Sequence, residues 1–293
     1  MRYGLAILPE LRWAQAAPLW RRAEELGLDH AWTYDHLVWA GLPDAPWFST
    51  MPTLAAAAAV TERIALGTHV TSPNYRHPYL FARDVLTLDD LSGGRMLMGV
   101  GAGGDLDAGI LGEEWSRGER TARFEEFVPL VRRLLREDHV DHRGEHFATV
   151  DARTLPGPRS TPPPLVVAGN GPRALRVAAT SGDGWVTNGV WGQGDPEEWW
   201  GSVREITARM REVMCAAGRG EGPSEDYRWY LSLDAGPTYS LQSMGVFEEM
   251  EGRAEELGFT DLVLHHPRPE GPFAGDPAIL DDLAAHVAAR RAG

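Results

Sequence analysis

The chain contains no lysine, so all 28 of its basic residues are arginines. Asp and Glu together number 42, and the formal net charge is −14 at pH 7. A surface of that sign repels phosphate backbones and anionic bilayers, which argues against nucleic-acid and membrane partners. An anionic ligand would have to be met by backbone N–H groups or by a few arginines. Cysteine is almost as scarce. Cys215 stands alone, so no internal disulfide and no multi-cysteine metal site can form. No apolar run reaches membrane-spanning length. The N-terminus, Met1-Arg2-Tyr3-Gly4-Leu5, reads directly into a strand instead of a signal peptide. The strand Tyr3–Leu8 has no histidine of the kind a metal-dependent barrel hydrolase would place there. A cytoplasmic protein acting on a small molecule, with no metal site, is the expectation.

What is present supports a large folded core. The 293 residues are 43% hydrophobic and 24% charged. Eleven are tryptophans, which suit both cores and pockets for flat ligands. Eight runs read as strands: Tyr3–Leu8, His30–Tyr34, Arg63–Val70, Arg95–Val100, Leu165–Ala168, Gly184–Thr187, Trp229–Leu233 and Leu262–His265. Amphipathic stretches between and after them read as helices, including Pro78–Leu91, Arg120–Arg136, Pro172–Thr180 and Pro196–Ala217. This alternation predicts a parallel sheet with helices outside it. About eight units favour a closed (β/α)₈ TIM barrel over an open sheet, as one domain spanning residues 1–293. A small insertion is expected around residues 138–164, where Val140–Val150 can form a hairpin turning on Gly144.

In such barrels chemistry sits at the carboxyl ends of the strands. Polar and aromatic residues collect there: Asp35, His36 and Trp39 after the second strand, and His69 and Ser72 at the third. Asn188 and Trp191 follow the sixth, and His265 and His266 the eighth. An imidazole at His36 could trade a proton near neutrality, with a neighbouring carboxylate orienting it. The residues alone also allow Asp35-His36 to be a capped loop and His69 to be a core histidine. Gly99-x-Gly101-x-x-Gly104 matches a dinucleotide fingerprint, but it lies in the wrong unit for one. A loop that lets a flat ligand approach the backbone is the better reading. Gly169-Asn-Gly171-Pro172, with Arg173, reads as an anion site at a helix start.

Several of these segments, taken in order, resemble the luciferase-like oxidoreductases. They are Trp32-Thr-Tyr-Asp35-His36, Thr68-His-Val-Thr-Ser-Pro73, Leu91-Ser-Gly-Gly-Arg95 with Leu97-Met-Gly-Val-Gly101, Ala168-Gly-Asn-Gly-Pro172 and Gly182-Asp-Gly-Trp185. The resemblance covers nearly the whole chain. It implies a barrel, usually homodimeric, holding FMN or the deazaflavin coenzyme F420, and it is nearest to the F420-dependent branch. On that match His36 and Asp35 are catalytic. Asp35, His69, Val70, Ser72, Gly103, Asp107, Gly169, Asn170, Gly171, Arg173 and Ala174 contact the cofactor. Trp39, Asn188, Trp191 and His265 face the substrate, and the His69–Val70 peptide is cis.

Two departures bear on the substrate. Sugar-phosphate dehydrogenases of this branch carry a catalytic Glu where this chain has Gly104. They also use lysines for phosphate, and Trp191 stands at one of those positions. An uncharged substrate follows, with the second acid or base open among Glu113, Glu114, His265 and His266. The alternative activity is an FMN-dependent monooxygenase using reduced flavin and oxygen.

Overall fold

The computed structural model describes residues 1–159 and 161–292. Ser160, in the proline-rich run before the fifth barrel strand, and Gly293 lie outside them. Eight parallel strands close into a barrel: β1 (Arg2–Ala6), β2 (His30–Thr33), β3 (Ala65–Thr68), β4 (Met96–Val100), β7 (Leu165–Ala168), β8 (Gly184–Thr187), β9 (Arg228–Ser232) and β10 (Asp261–His265). β1 pairs with β10 and with β2, which completes the ring. The remaining strands, β5 (Val140–Arg143) and β6 (Ala148–Ala152), form a separate antiparallel hairpin. Gly144 starts its turn, donating its N–H to the Phe147 carbonyl. This is the expected insertion.

The outer layer holds α1 (Trp13–Glu25), α2 (Thr50–Ala58), α3 (Pro78–Ser92), α4 (Leu106–Ile110), α5 (Arg117–Leu134), α6 (Pro172–Ser181), α7 (Pro196–Ala216), α8 (Met244–Leu257) and α9 (Ile279–Ala292). Their starts are chemically marked. His77 caps α3 by accepting the Tyr79 N–H, Ser116 and Glu119 form a capping box on α5, and Asp195 caps α7. α4 was not legible in sequence, because it is a single short turn diluted by Gly109. The other ends differ from expectation by a few residues, where helices fray.

Side chains alternate across each strand, so every second residue enters the barrel. Trp32, Leu97, Val166, Val186, Tyr230 and Val263 form one interior cluster. A larger cluster, including Trp20, Phe81, Phe127, Trp185, Trp199 and Trp229, fills the space between strands and helices. Gly67 is required where it stands: a Cβ there would lie 2.3 Å from the Trp32 ring. Among the described residues no helix is long and apolar enough to cross a membrane.

Candidate active site

The alternation that buries Trp32, Tyr230 and Val263 fixes the layer above them. Two residues along β2 comes Tyr34, two along β10 comes His265, and two or four along β9 come Ser232 and Asp234. Over this layer opens a cavity of about 700 Å³, within the range of sites for small organic ligands. One wall is made of small residues and backbone: His69, Val70, Gly101, Ala102, Gly103, Ala168 and Gly169. The His69–Val70 peptide in it is cis. Gly103 has a left-handed φ of 67°, and a Cβ on it would press on Ser72 and Asn74 at 2.6 Å. Such a wall admits a flat ring close to the backbone. The lining also includes the aromatic and apolar residues Trp39, Tyr239, Pro237, Pro272 and Phe273. Among the described residues no arginine lines the cavity, and the one carboxylate in its lining is Asp234.

His36 lines this cavity and is aimed from behind. Its Nδ1 lies 2.7 Å from Asp107 Oδ2, and Asp107 Oδ1 accepts the Leu37 N–H at 2.7 Å. Asp107 is buried, on the short helix α4. A carboxylate accepts and does not donate, so Nδ1 carries the proton and Nε2 is the nitrogen left for a ligand.

The structure places Asp35 away from the cavity lining. Alternation turns it outward, where it is 1% exposed and absent from the cavity wall. Arg76 grips it with two hydrogen bonds of 2.6 and 2.7 Å, and Thr71 donates to it at 2.6 Å. Asp35 thus ties the end of β2 to Arg76 and Thr71.

Other expected residues divide the same way. His69, Val70, Gly103, Gly169 and Asn170 line the cavity, as do Trp39, Asn188 and Trp191. Ser72 is buried, and its hydroxyl accepts the Asn74 N–H. Asp107 reaches the cavity only through His36. Gly171, Arg173 and Ala174 start α6 beyond the rim, and no side chain caps that helix. Arg173 is engaged by Glu125 through Nε at 2.8 Å and a second contact from Nη2, so it is an ion-paired cation at the surface. Asn170 ties β7 to β8 by donating to Asn188 Oδ1 and the Gly189 carbonyl. Glu113 and Glu114 line a separate surface hollow with Trp115 and Arg120.

His265 is buried behind the cavity wall, not on it. Its Nε2 lies 2.8 Å from the Tyr34 hydroxyl, and its Nδ1 lies 3.1 Å from Asp234 Oδ2. Phe273 stacks on the imidazole at 3.9 Å between centroids, and Trp39 lies nearly parallel to Phe273 at 6.0 Å. Burial raises the Tyr34 phenol above its ordinary value, with the Asp234 charge adding to the effect. Burial also drops His69 from 6.5 to about 3, helped by His265, His30 and His36, so His69 is a neutral wall residue. Its Nε2 sits 3.2 Å from the Ser232 hydroxyl.

Sequence reading missed Tyr34, Ser232, Asp234, Tyr239 and Phe273. The period-two pattern was the available signal for the first three. Phe273 is reached by a loop with a left-handed φ of 61°, which no strand pattern announces.

A closed parallel barrel with one deep mouth, a backbone wall and histidines held by carboxylates is the build of a barrel enzyme. The chain belongs to the luciferase-like monooxygenase family, whose profile matches residues 1–233. It is 34% identical over 255 residues to an F420-dependent glucose-6-phosphate dehydrogenase of Amycolatopsis mediterranei (strain U-32), covering 80% of this chain and 75% of that one. Its fold is similar to the coenzyme F420-dependent tetrahydromethanopterin reductase from Methanopyrus kandleri, with a TM-score of 0.77, 18% identity and 99% of each chain covered. It is also similar to an F420-dependent secondary alcohol dehydrogenase in complex with an F420–acetone adduct, with a TM-score of 0.76, 19% identity and 97% of each chain covered.

Proposed function

We propose that this enzyme transfers a hydride between coenzyme F420 and an uncharged organic substrate, an alcohol or the matching carbonyl compound. The observation that carries the reading is His36, fixed by Asp107 with Nε2 turned to a cavity that has a flat backbone wall. The name of the Amycolatopsis relative supports the choice of cofactor.

His69, Val70, Gly103, Gly169 and Asn170 would hold the ring system against the wall. The first N–H groups of α6, at Gly171, Arg173 and Ala174, would meet an anionic tail. Asp35, Ser72 and Asp107 support that wall from behind. Bound deazaflavin supplies the carbon that accepts or gives the hydride. His36 Nε2 takes the proton from the substrate hydroxyl, or returns it in the other direction. Trp39, Asn188 and Trp191 enclose the substrate. A cavity lining without arginine or lysine disfavours an anionic substrate and supports an uncharged one, and Gly104 contributes no acid there. The reading extends to a cytoplasmic homodimer, the assembly that the resemblance implies.

Side-by-side titration with F420 and FMN tests the cofactor. F420 should bind at least tenfold tighter, about 1.4 kcal/mol. Tenfold tighter binding of FMN would replace this reading with the monooxygenase.

A further inference from the structure

We propose that Tyr34, backed by His265 and Asp234, is a second proton-transfer line into the cavity, separate from His36; the proposal rests on the hydride-transfer reading above. Three strand ends supply it. Asp234 Oδ2 accepts the His265 backbone N–H at 2.7 Å and faces its Nδ1 at 3.1 Å. The other Asp234 oxygen accepts the Ser240 N–H at 2.7 Å, so the carboxylate is anchored at both oxygens. An ionised carboxylate offers no proton, which fixes the hydrogen of His265 on Nδ1. Nε2 is then the acceptor, and the Tyr34 hydroxyl donates to it across 2.8 Å. Tyr34 lines the cavity and His265 does not. Tyr34 is therefore the member of the line that meets the cavity, and its hydroxyl oxygen keeps lone pairs to accept.

The step balances without any change of oxidation state in the relay. In the carbonyl-reducing direction, where His36 gives its proton to the substrate oxygen, the proton that the coenzyme gives up reaches Tyr34 Oη. The Tyr34 proton moves to His265 Nε2, and the resulting imidazolium stands beside the Asp234 carboxylate. The reverse sequence delivers a proton. Burial keeps the phenol protonated, so the two transfers occur together. The stacked Phe273 ring and the Tyr239 hydroxyl, which donates to the His265 carbonyl at 2.9 Å, hold the imidazole in place.

The chemistry has room for such a line. Alcohol oxidation releases one proton from oxygen, and the reduced coenzyme takes one up. His36 accounts for one of these transfers. Gly104 cannot serve the other, although open space surrounds its Cα, and Glu113 and Glu114 line a different hollow.

Tyr34→Phe tests this, because it removes the hydroxyl and keeps the ring. In the holoenzyme with F420 and 2-propanol or acetone, kcat should fall about 10²-fold, while KM and F420 affinity stay within about twofold. The unliganded protein gives an independent readout. A downfield proton resonance from His265 Nδ1–H should disappear in Asp234→Asn and shift in Tyr34→Phe. Unchanged kcat in Tyr34→Phe overturns the proposal. So does a resonance insensitive to both substitutions. Failure of the wild type to bind F420 would sink the cofactor reading instead, and the resonance would still decide whether the relay exists.

Discussion

His36 Nδ1 lies 2.7 Å from the Asp107 carboxylate, on a residue 71 positions further along the chain. That contact chooses the tautomer of the imidazole and points its other nitrogen into the cavity. The short helix that carries Asp107 is thus part of the site's geometry, although none of its side chains lines the mouth.

Asp107→Asn should lower kcat by about 10²-fold, the low end of what a positioned acid or base contributes. The neutral amide no longer dictates the tautomer. His36→Ala should cost as much or more, up to about 10⁴-fold. The double variant should be no slower than His36→Ala alone, since the two act as one unit. Fully additive losses in steady-state kinetics would show that Asp107 and His36 work separately.

The Asp35–Arg76 pair predicts stability. Arg76→Met leaves a buried carboxylate without its partner, a change that costs about 3–5 kcal/mol. The urea unfolding midpoint should drop accordingly. A midpoint equal to that of the wild type would show that the Asp35–Arg76 pair does not stabilise the fold.

His69 predicts a pH dependence. Its folded pKa is depressed from 6.5 to about 3, so between those values the unfolded chain binds a proton that the folded one refuses. The stability it contributes is complete above pH 6.5 and is lost as pH falls toward about 3. His69→Asn should therefore show a flatter rise of unfolding free energy with pH across that window. Parallel curves for wild type and variant would mean that His69 titrates normally in the fold.

Much of the barrel was legible because its signals are local. Each strand–helix unit carries its own apolar run and capping residues, and glycines mark several of its turns. Leu165–Ala168 and Gly184–Thr187 begin and end in the structure where the pattern places them. The hairpin turning on Gly144 is local in the same sense. His36 and the residues of the backbone wall could be named from their order along the chain, because strand ends meet wherever a barrel closes.

The partners of those residues depended on tertiary structure. Sequence adjacency suggested Asp35 for His36, but neighbouring residues on an extended strand point to opposite faces. Asp35 therefore turns to Arg76, and the carboxylate for His36 comes from Asp107. Arg173 reads as a free cation in sequence and is paired with Glu125, 48 residues earlier. Tyr34, His265 and Asp234 come from strands β2 and β10 and the segment after β9. No spacing along the chain links them; the closure of β1 onto β10 and β2 brings them together. By itself the sequence determined the barrel strands, most of the helices and part of the set of residues at the mouth. Which proton each group holds, and for which neighbour, was decided by barrel closure, because hydrogen bonds form between atoms within about 3 Å whatever their separation along the chain.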